Sequence, residues 1–125
     1  MIRASLYFVF VFVCANADKP LTPVEARKAV GKTITVEMTV NAAKDRLEKR
    51  GEIYLDSEAD FKDEKNFAVV INKDGAADLK KNGITDPAAH FKDKLIQATG
   101  EVKVVDGVPR IEISEAKQIK LATDK

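Results

Sequence analysis

Hydrophobic and polar residues alternate most regularly over residues 33–40, which read TITVEMTV. Apolar side chains occupy every second position, and threonine or glutamate occupies the positions between them. A period of two, with this many β-branched residues, is typical of a strand that buries one face. The pattern therefore predicts that residues 33–40 form the first strand of a sheet.

Two further strands are predicted in the middle of the chain. In residues 51–56 (GEIYLD), Ile53 and Leu55 point inward and Tyr54 points outward. Residues 67–71 (FAVVI) form a compact apolar run, which is typical of a central strand. Two aromatic residues, Phe67 at the start of this run and Phe91 in a later predicted helix, are assigned to the core.

The last third of the chain predicts a hairpin. Residues 95–105 and 108–114 both have strand character, and they flank an Asp-Gly pair at 106–107, which favours a tight turn. Gly100 in mid-strand indicates a bulge or a sharp bend. Pro109 has no N–H to donate to a ladder, so the last strand is expected to lie at a sheet edge.

Helix signals occur before the first strand and after the third. Thr22, Pro23 and Glu25 form a capping-box start with proline at the first helical position, and the helix is expected to end near Gly31. Short helices are predicted at 76–81 and from Thr85-Asp86-Pro87 onward. Residues 41–50 show no periodicity and are expected to be a loop. Residues 116–122 predict a short terminal strand.

This order of elements predicts a fold class. A mostly β chain with an N-terminal helix, three strands, a helical connection and a closing two-strand hairpin matches the five-stranded OB-fold barrel. A glycine bend in mid-strand is how such small barrels turn corners. The alternative is an open α+β sheet with the helices on one face.

The first 17 residues predict a secretory signal peptide. Arg3 precedes the apolar run at 6–13, and Ala-Asn-Ala at 15–17 has small residues where signal peptidase cleaves, between Ala17 and Asp18. The run is too short to span a bilayer, so no membrane anchor is expected after cleavage. Residues 18–125 are then a single OB-fold-like domain, secreted or periplasmic.

Removal of the signal changes the composition. The single cysteine, Cys14, leaves with it, so the exported domain has no disulfide and no nucleophilic thiol. The 108 remaining residues carry 20 basic and 20 acidic side chains. A neutral domain has no overall field that attracts nucleic acid or anionic lipid, so electrostatic recognition requires a local patch.

Such a patch is predicted after the first strand. Residues 41–50 (NAAKDRLEKR) are locally positive, and in an OB barrel the loops after strands one and four border the binding face. Tyr54 is an outward aromatic that can stack on a base or a sugar. The alternative interpretation is a solvated loop that maintains solubility. The candidate ligand-binding residues are Lys44, Arg46, Lys49, Arg50, Tyr54, Lys103 and Arg110.

Catalysis, metal binding and cofactor binding find little support. The exported domain has one histidine, His90, and only Ser57 and Ser114 as serine nucleophiles, with no spacing that indicates a catalytic pair. The acidic segment 56–64 resembles the start of a calcium loop, but Phe61 stands where that loop requires glycine. The sequence therefore predicts no enzyme, no metal and no cofactor. Phe61 is expected either to plug the barrel end or to contact a ligand.

Three segments carry a family resemblance. Gly31-Lys32 followed by TITVEMTV, then IYLDSEADFKDEKNFAVVI, then TGEVKVVDGVPRIEI resembles a group of small exported bacterial OB-fold proteins over residues 30–121. Their recurring motifs are GK-x-V-T-V-E, L-N-S…D/F…N-F-x-V-x-I and G-x-V…G-x-P-x-I. Asp56 stands where asparagine is usual in that group. The resemblance implies a nucleic-acid-binding-like fold, which is an analogy of fold and not of function.

Two hypotheses follow. The first is an exported, non-enzymatic binding module for an oligomeric or anionic ligand, such as single-stranded nucleic acid or an oligosaccharide. The second is an interaction module that pairs with an envelope protein, or with its own copy, through an edge strand at 108–114 that buries Ile111 or Ile113.

Overall fold

The structure is a computed structural model that describes residues 19–122. The predicted signal peptide, residues 1–17, and its cleavage site lie outside the described residues. The strands within this range are β1 (Thr33–Thr39), β2 (Ala42–Arg46), β3 (Glu52–Asp56), β4 (Ala68–Asn72), β5 (Leu95–Val105), β6 (Val108–Ile113) and β7 (Ile119–Leu121). The helices are α1 (Pro23–Arg27), α2 (Leu47–Arg50), α3 (Lys73–Lys81) and α4 (Pro87–Phe91), with a 3-10 turn at Ala116–Gln118.

The strands form one sheet in the order β1-β5-β6-β4-β3-β2, and β7 pairs with β5 outside this path. The ladders are antiparallel except between β4 and β6, which run parallel. The sheet is open, because β1 and β2 stand at opposite ends of the hydrogen-bonded order. These two end strands are nevertheless consecutive in the chain. The described domain is thus mostly β with short helices, and its strand order is consistent with a partly open OB-type barrel.

The prediction of five strands is wrong in number, and residues 40–41 give the main reason. The Val40 N–H donates to the Lys94 carbonyl, at 2.9 Å, whereas the Asn41 N–H donates to the Asp56 carbonyl, also at 2.9 Å. The chain therefore leaves the β5 ladder and joins the β3 ladder within one residue. The predicted first strand corresponds to β1, and the chain then enters a separate strand, β2, which pairs with β3.

Residues 41–50 are also more ordered than the predicted loop. Ala42–Arg46 pairs in register with Glu52–Asp56, and the helical turn α2 connects the two strands. Gly51 ends this turn in the left-handed conformation, with φ of 74°. The sequence of this segment does not alternate, so β2 was not predicted; it forms by pairing with β3.

The predicted hairpin is present, but its second strand is not an edge. Asp106 and Gly107 both have positive φ, as the tight turn between β5 and β6 requires. β6 pairs with β5 on one side and with β4 on the other. Pro109 is tolerated because the parallel ladder with β4 begins only at the next residue, Arg110. The hypothesis of partner pairing through residues 108–114 is therefore wrong, since both sides of this strand are occupied.

The core lies on one face of the sheet. A row of directly opposed residues, Leu55, Val69, Ile111 and Val102, crosses β3, β4, β6 and β5, and all four are fully buried. Phe67 and Phe91 are buried, as predicted from the sequence. Helices close the ends of this core through the following buried residues: Ala26, Ala76, Leu79 and Phe91.

The predicted capping box at the start of α1 is present. The Thr22 hydroxyl accepts from the Glu25 N–H at 3.2 Å, and the Glu25 carboxylate accepts from the Thr22 N–H at 2.9 Å. α1 itself is only five residues long. Within residues 19–122, no helix combines the length and the apolarity that crossing a membrane would require.

Candidate functional site

A groove lies on the face of the sheet opposite the core. Lys44 on β2 stands opposite Tyr54 on β3, and Arg110 on β6 stands opposite Ala68 on β4. Directly opposed residues share a face of a sheet, so these side chains project away from the core row. They line a cavity of about 460 Å³, which we call the basic groove.

The basic groove collects six of the seven residues that the sequence singled out. Lys44 and Arg46 come from β2, Lys49 and Arg50 from α2, and the remaining two from the middle of the sheet. Lys103 is not part of the wall, although it lies directly opposite Arg110 in the ladder between β5 and β6. The structure thus brings together the following predicted residues: Lys44, Arg46, Lys49, Arg50, Tyr54 and Arg110.

Other residues of the groove had not been assigned to the site. Val105, Asp106 and Val108 come from the hairpin between β5 and β6, and Ala68 forms part of the floor. The hairpin signal in the sequence located these residues locally, but it did not indicate which face they join. Phe61, for which the sequence left two roles open, also lines the groove and is 45% exposed.

Glu52 connects Arg110 and Tyr54. The Arg110 Nη1 lies 3.2 Å from Glu52 Oε2, and the Tyr54 hydroxyl donates to the other oxygen of the same carboxylate. The Arg110 guanidinium also stands over the Tyr54 ring, 5.9 Å from its centroid. With 14% of the Arg110 side chain and 27% of the Glu52 side chain exposed, the pair is shielded from solvent and holds Arg110 in a defined position.

One cation of the groove, Arg50, interacts with the same tyrosine. The pKa of the Arg50 guanidinium is raised above its ordinary value, chiefly by a side-chain hydrogen bond with Tyr54 and by its Coulombic interaction with that side chain. Glu52 and Asp106 add smaller effects of the same sign. These effects favour the positively charged form of the Arg50 side chain.

A buried carboxylate forms part of the groove floor. Asp56 is only 3% exposed, and burial raises the pKa of its carboxyl above the ordinary value. The hydrogen bond from Asn66 Nδ2 to Asp56 Oδ1, at 3.1 Å, and the charges of Lys44 and Arg110 oppose this shift. Asp56 thus sets a negative charge beneath the cations, and its ionisation costs folding free energy.

The candidate catalytic residues lie apart from the basic groove. His90 borders a second cleft of about 620 Å³, formed by α3, α4 and the segment around β7. Neither Ser57 nor Ser114 lines that cleft, and Ser57 is buried, with its hydroxyl accepting from the Phe67 N–H at 2.9 Å. Within residues 19–122, no three His, Cys, Asp or Glu side chains are grouped to hold a metal ion.

Two aspartates of the acidic segment after β3 stabilise turns within that segment. The Asp60 carboxylate accepts from the Lys62 N–H, and the Asp63 carboxylate accepts from the Lys65 N–H, each at 2.9 Å. Aspartate side chains often stabilise loops by such bonds to the backbone two residues further on. These two carboxylates therefore have a local structural role.

The sequence matches no protein-family model and no curated protein. Among solved structures, the chain is similar to part of a putative aspartyl-tRNA synthetase from Leishmania major Friedlin, with a TM-score of 0.55, 14% identity and coverage of 100% of this chain and 23% of the other. For asparaginyl-tRNA synthetase from Pyrococcus horikoshii, the TM-score is 0.52, the identity 12%, and the coverage 83% and 23%. For aspartyl-tRNA synthetase from Entamoeba histolytica, the corresponding values are 0.52, 16%, 86% and 22%. The chain spans about a quarter of the length of these enzymes, and at such identities the likeness concerns the fold alone.

Proposed function

We propose that this protein is a non-enzymatic OB-fold module that binds single-stranded nucleic acid in the basic groove. The observation that carries the proposal is the convergence of five cationic side chains, from β2, α2 and β6, on one cavity that also contains Tyr54 and Phe61. Cations that follow a phosphate backbone, combined with aromatic side chains, are the usual components of single-strand binding surfaces.

The charge distribution supports a local binding site. The chain as a whole is nearly neutral, with a net charge of +1. In the basic groove, however, the five cations stand against Asp56 and Asp106 in the wall and Glu52 beside it. An anionic ligand is therefore attracted to this face of the domain and not to its surface in general.

The fold supports the choice of nucleic acid among anionic ligands. In OB folds, the face of strands two and three and the adjoining loops bind oligonucleotides or oligosaccharides, and here that face corresponds to β3 and β4 with β2 and the hairpin beside them. The similar solved structures are segments of enzymes named for transfer RNA. A phosphate backbone accounts for the number of cations, which an uncharged oligosaccharide does not require.

Binding to a fluorescent single-stranded oligonucleotide, measured by anisotropy at low and high salt, tests the proposal. In the full chain, the double variant Lys49→Ala/Arg50→Ala removes two groove cations. Each lost phosphate contact should flatten the dependence of log K on log salt by about 0.7, so the slope should fall by about 1.4.

The matched control is Lys80→Ala/Lys81→Ala, which removes the same charge from exposed positions at the end of α3. We expect this control to retain both the affinity and the salt dependence of the unaltered protein. If the two double variants behave alike, or if the unaltered protein does not bind at low salt, the groove is not a nucleic-acid site.

We also propose that the module is exported, since residues 1–17 have the pattern of a cleaved signal peptide. The intact mass and N-terminal sequence of protein recovered from outside the cytoplasm test this directly. Cleavage before Asp18 is the expected result. Retention of residues 1–17 in all recovered protein would contradict export by this route.

A further inference from the structure

Phe61 differs from the other phenylalanine and tyrosine residues that the structure describes in that it is exposed to solvent. It is 45% exposed, whereas Phe67 and Phe91 are buried and Tyr54 is partly buried. Its ring lies at the wall of the basic groove and provides a flat surface that a ligand can reach.

A buried asparagine holds the loop that carries Phe61. Asn66 is fully buried, and its Nδ2 donates to the Phe61 carbonyl at 3.4 Å and to Asp56 Oδ1 at 3.1 Å. Its Oδ1 accepts from the Glu58 N–H at 3.0 Å, and its own carbonyl accepts from Arg27 Nη1 at 2.6 Å. Phe61 is thus presented from an anchored backbone, which lowers the entropic cost of using it for binding.

Two lysines accompany the exposed ring. The Lys44 Nζ lies 4.9 Å from the Phe61 centroid, and the Lys62 Nζ lies 5.9 Å from it. Within residues 19–122, neither lysine forms a salt bridge with a carboxylate. An exposed cation–π contact is weak, so a planar ligand group can displace an ammonium from the ring, and the freed ammonium remains close enough to contact a phosphate.

Tyr54, by contrast, is already engaged. Its hydroxyl donates to Glu52, and Arg110 stands over its ring. Stacking a base on Tyr54 would therefore have to disrupt the cluster that positions Arg110. The Phe61 ring, by comparison, is contacted by Lys44 and Lys62, which form no salt bridge within residues 19–122, so a base can replace them without breaking an ion pair.

From this arrangement we propose that Phe61 is the platform on which a nucleobase stacks, while Lys44 and Lys62 neutralise the phosphates beside that base. This inference rests on the proposed function of the basic groove and refines it. The ligand is a single strand with unpaired, accessible bases, and the groove recognises base and backbone through different residues. A strand whose bases are paired cannot offer a free face to Phe61.

Base stacking and phosphate binding can be separated by comparing a base-containing oligonucleotide with an abasic oligonucleotide of the same length and charge. Phe61→Leu keeps an apolar side chain of similar reach but removes the ring. We expect it to weaken binding of the base-containing strand on the order of 5- to 150-fold, the range for loss of one stacked base. Binding of the abasic strand should change less than about twofold, because its phosphates still meet the same cations.

Val30→Ala is the matched control, because Val30 is an apolar residue of similar exposure, 51%, and does not line the groove. We expect Val30→Ala to leave the affinities for both strands unchanged. Thermal midpoints of all variants identify any loss of binding that results from unfolding.

A spectroscopic variant provides a second readout. The chain contains no tryptophan, so Phe61→Trp introduces a single emitting indole. The base-containing strand should quench this emission, and the abasic strand should leave it nearly unchanged.

The inference is overturned if Phe61→Leu weakens both strands equally, or neither, or if both strands quench the indole alike. If the unaltered protein binds both strands with one affinity that depends on salt and on Lys49 and Arg50, the basic groove still binds nucleic acid and only the stacking role fails. If neither strand binds at low salt, the proposed function fails as well.

Discussion

Gly75→Ala tests the packing of α3 against the sheet, because helix propensity and steric overlap predict opposite changes in the free energy of unfolding. Gly75 lies inside α3, and its N–H donates to the Asn72 side chain that caps the helix, at 2.8 Å. Considered as a helix residue alone, alanine should stabilise the protein by about 1 kcal/mol. A Cβ at this position, however, would lie 2.2 Å from the carbonyl oxygen of Ile113 and 3.2 Å from Ile71 Cγ2.

The steric effect should prevail. The obstacle is the backbone of β6 at Ile113, which pairs with Ile71 of β4, so it cannot rotate away as a side chain would. α3 must instead move off the sheet by roughly 1 Å, which weakens the contacts of buried Leu79. Overpacking of this kind costs about 1–3 kcal/mol or somewhat more. A steric cost of about 3 kcal/mol, offset by about 1 kcal/mol of helix propensity, leaves a net loss of about 2 kcal/mol in the free energy of unfolding. Such a loss lowers Tm by roughly 8–16 °C.

Thermal unfolding followed by circular dichroism, with a urea titration, measures this change. Ala77→Gly is the control, since Ala77 is exposed on the same helix and reports propensity alone. It should cost about 1 kcal/mol. A Gly75→Ala variant with a Tm equal to or above that of the unaltered protein would refute the reasoning, because it would mean that α3 does not approach β6 as closely as described.

Three further changes test the groove. Asp56→Asn should stabilise the protein at neutral pH, because the raised pKa of Asp56 means that ionisation of its carboxyl destabilises the folded state. The stability difference between the variant and the unaltered protein should disappear as the pH falls below 3.8, the ordinary pKa of aspartate. Urea titrations that show the same difference at every pH would contradict this. Glu52→Gln removes the ionic partner of Arg110 and should cost about 1–2 kcal/mol of stability while raising oligonucleotide affinity. A lower affinity in anisotropy would contradict this expectation and show that the positioning of Arg110 by Glu52 outweighs the charge that Glu52 neutralises. Asn66→Ala leaves buried groups unpaired and should cost about 2–3 kcal/mol in urea unfolding; an unchanged stability would show that this hydrogen-bond network is not important.

The elements predicted from the sequence are those that depend on local interactions. The capping box at Thr22, the hairpin turn at 106–107 and the buried Phe67 and Phe91 follow from side-chain chemistry and from spacing within a few residues. The cations of residues 44–50 were recognisable for the same reason, since charge is a property of each residue. Alternation at 51–56 also predicted that Tyr54 faces away from the core.

The remaining features depend on residues that are distant in the chain. No local signal shows that the Val40 and Asn41 N–H groups donate to strands on different sides, and so the division into β1 and β2 was not predicted. Pro109 indicated an edge strand, but the pairing of β6 with β4 involves residues some 40 positions apart. A local rule about proline cannot exclude a ladder that begins one residue later.

The basic groove likewise combines features that the sequence predicts with features that only the fold produces. The sequence by itself determined which residues carry charge and which strand positions alternate, because these properties reside in single side chains and short segments. Only the tertiary structure decided that Arg110 from β6 joins the cations of β2 and α2, that Glu52 neutralises part of that charge, and that Phe61 stands open beside Lys44. The physical reason is that strand pairing and register are set by burial of the whole apolar face, to which each segment contributes only a part.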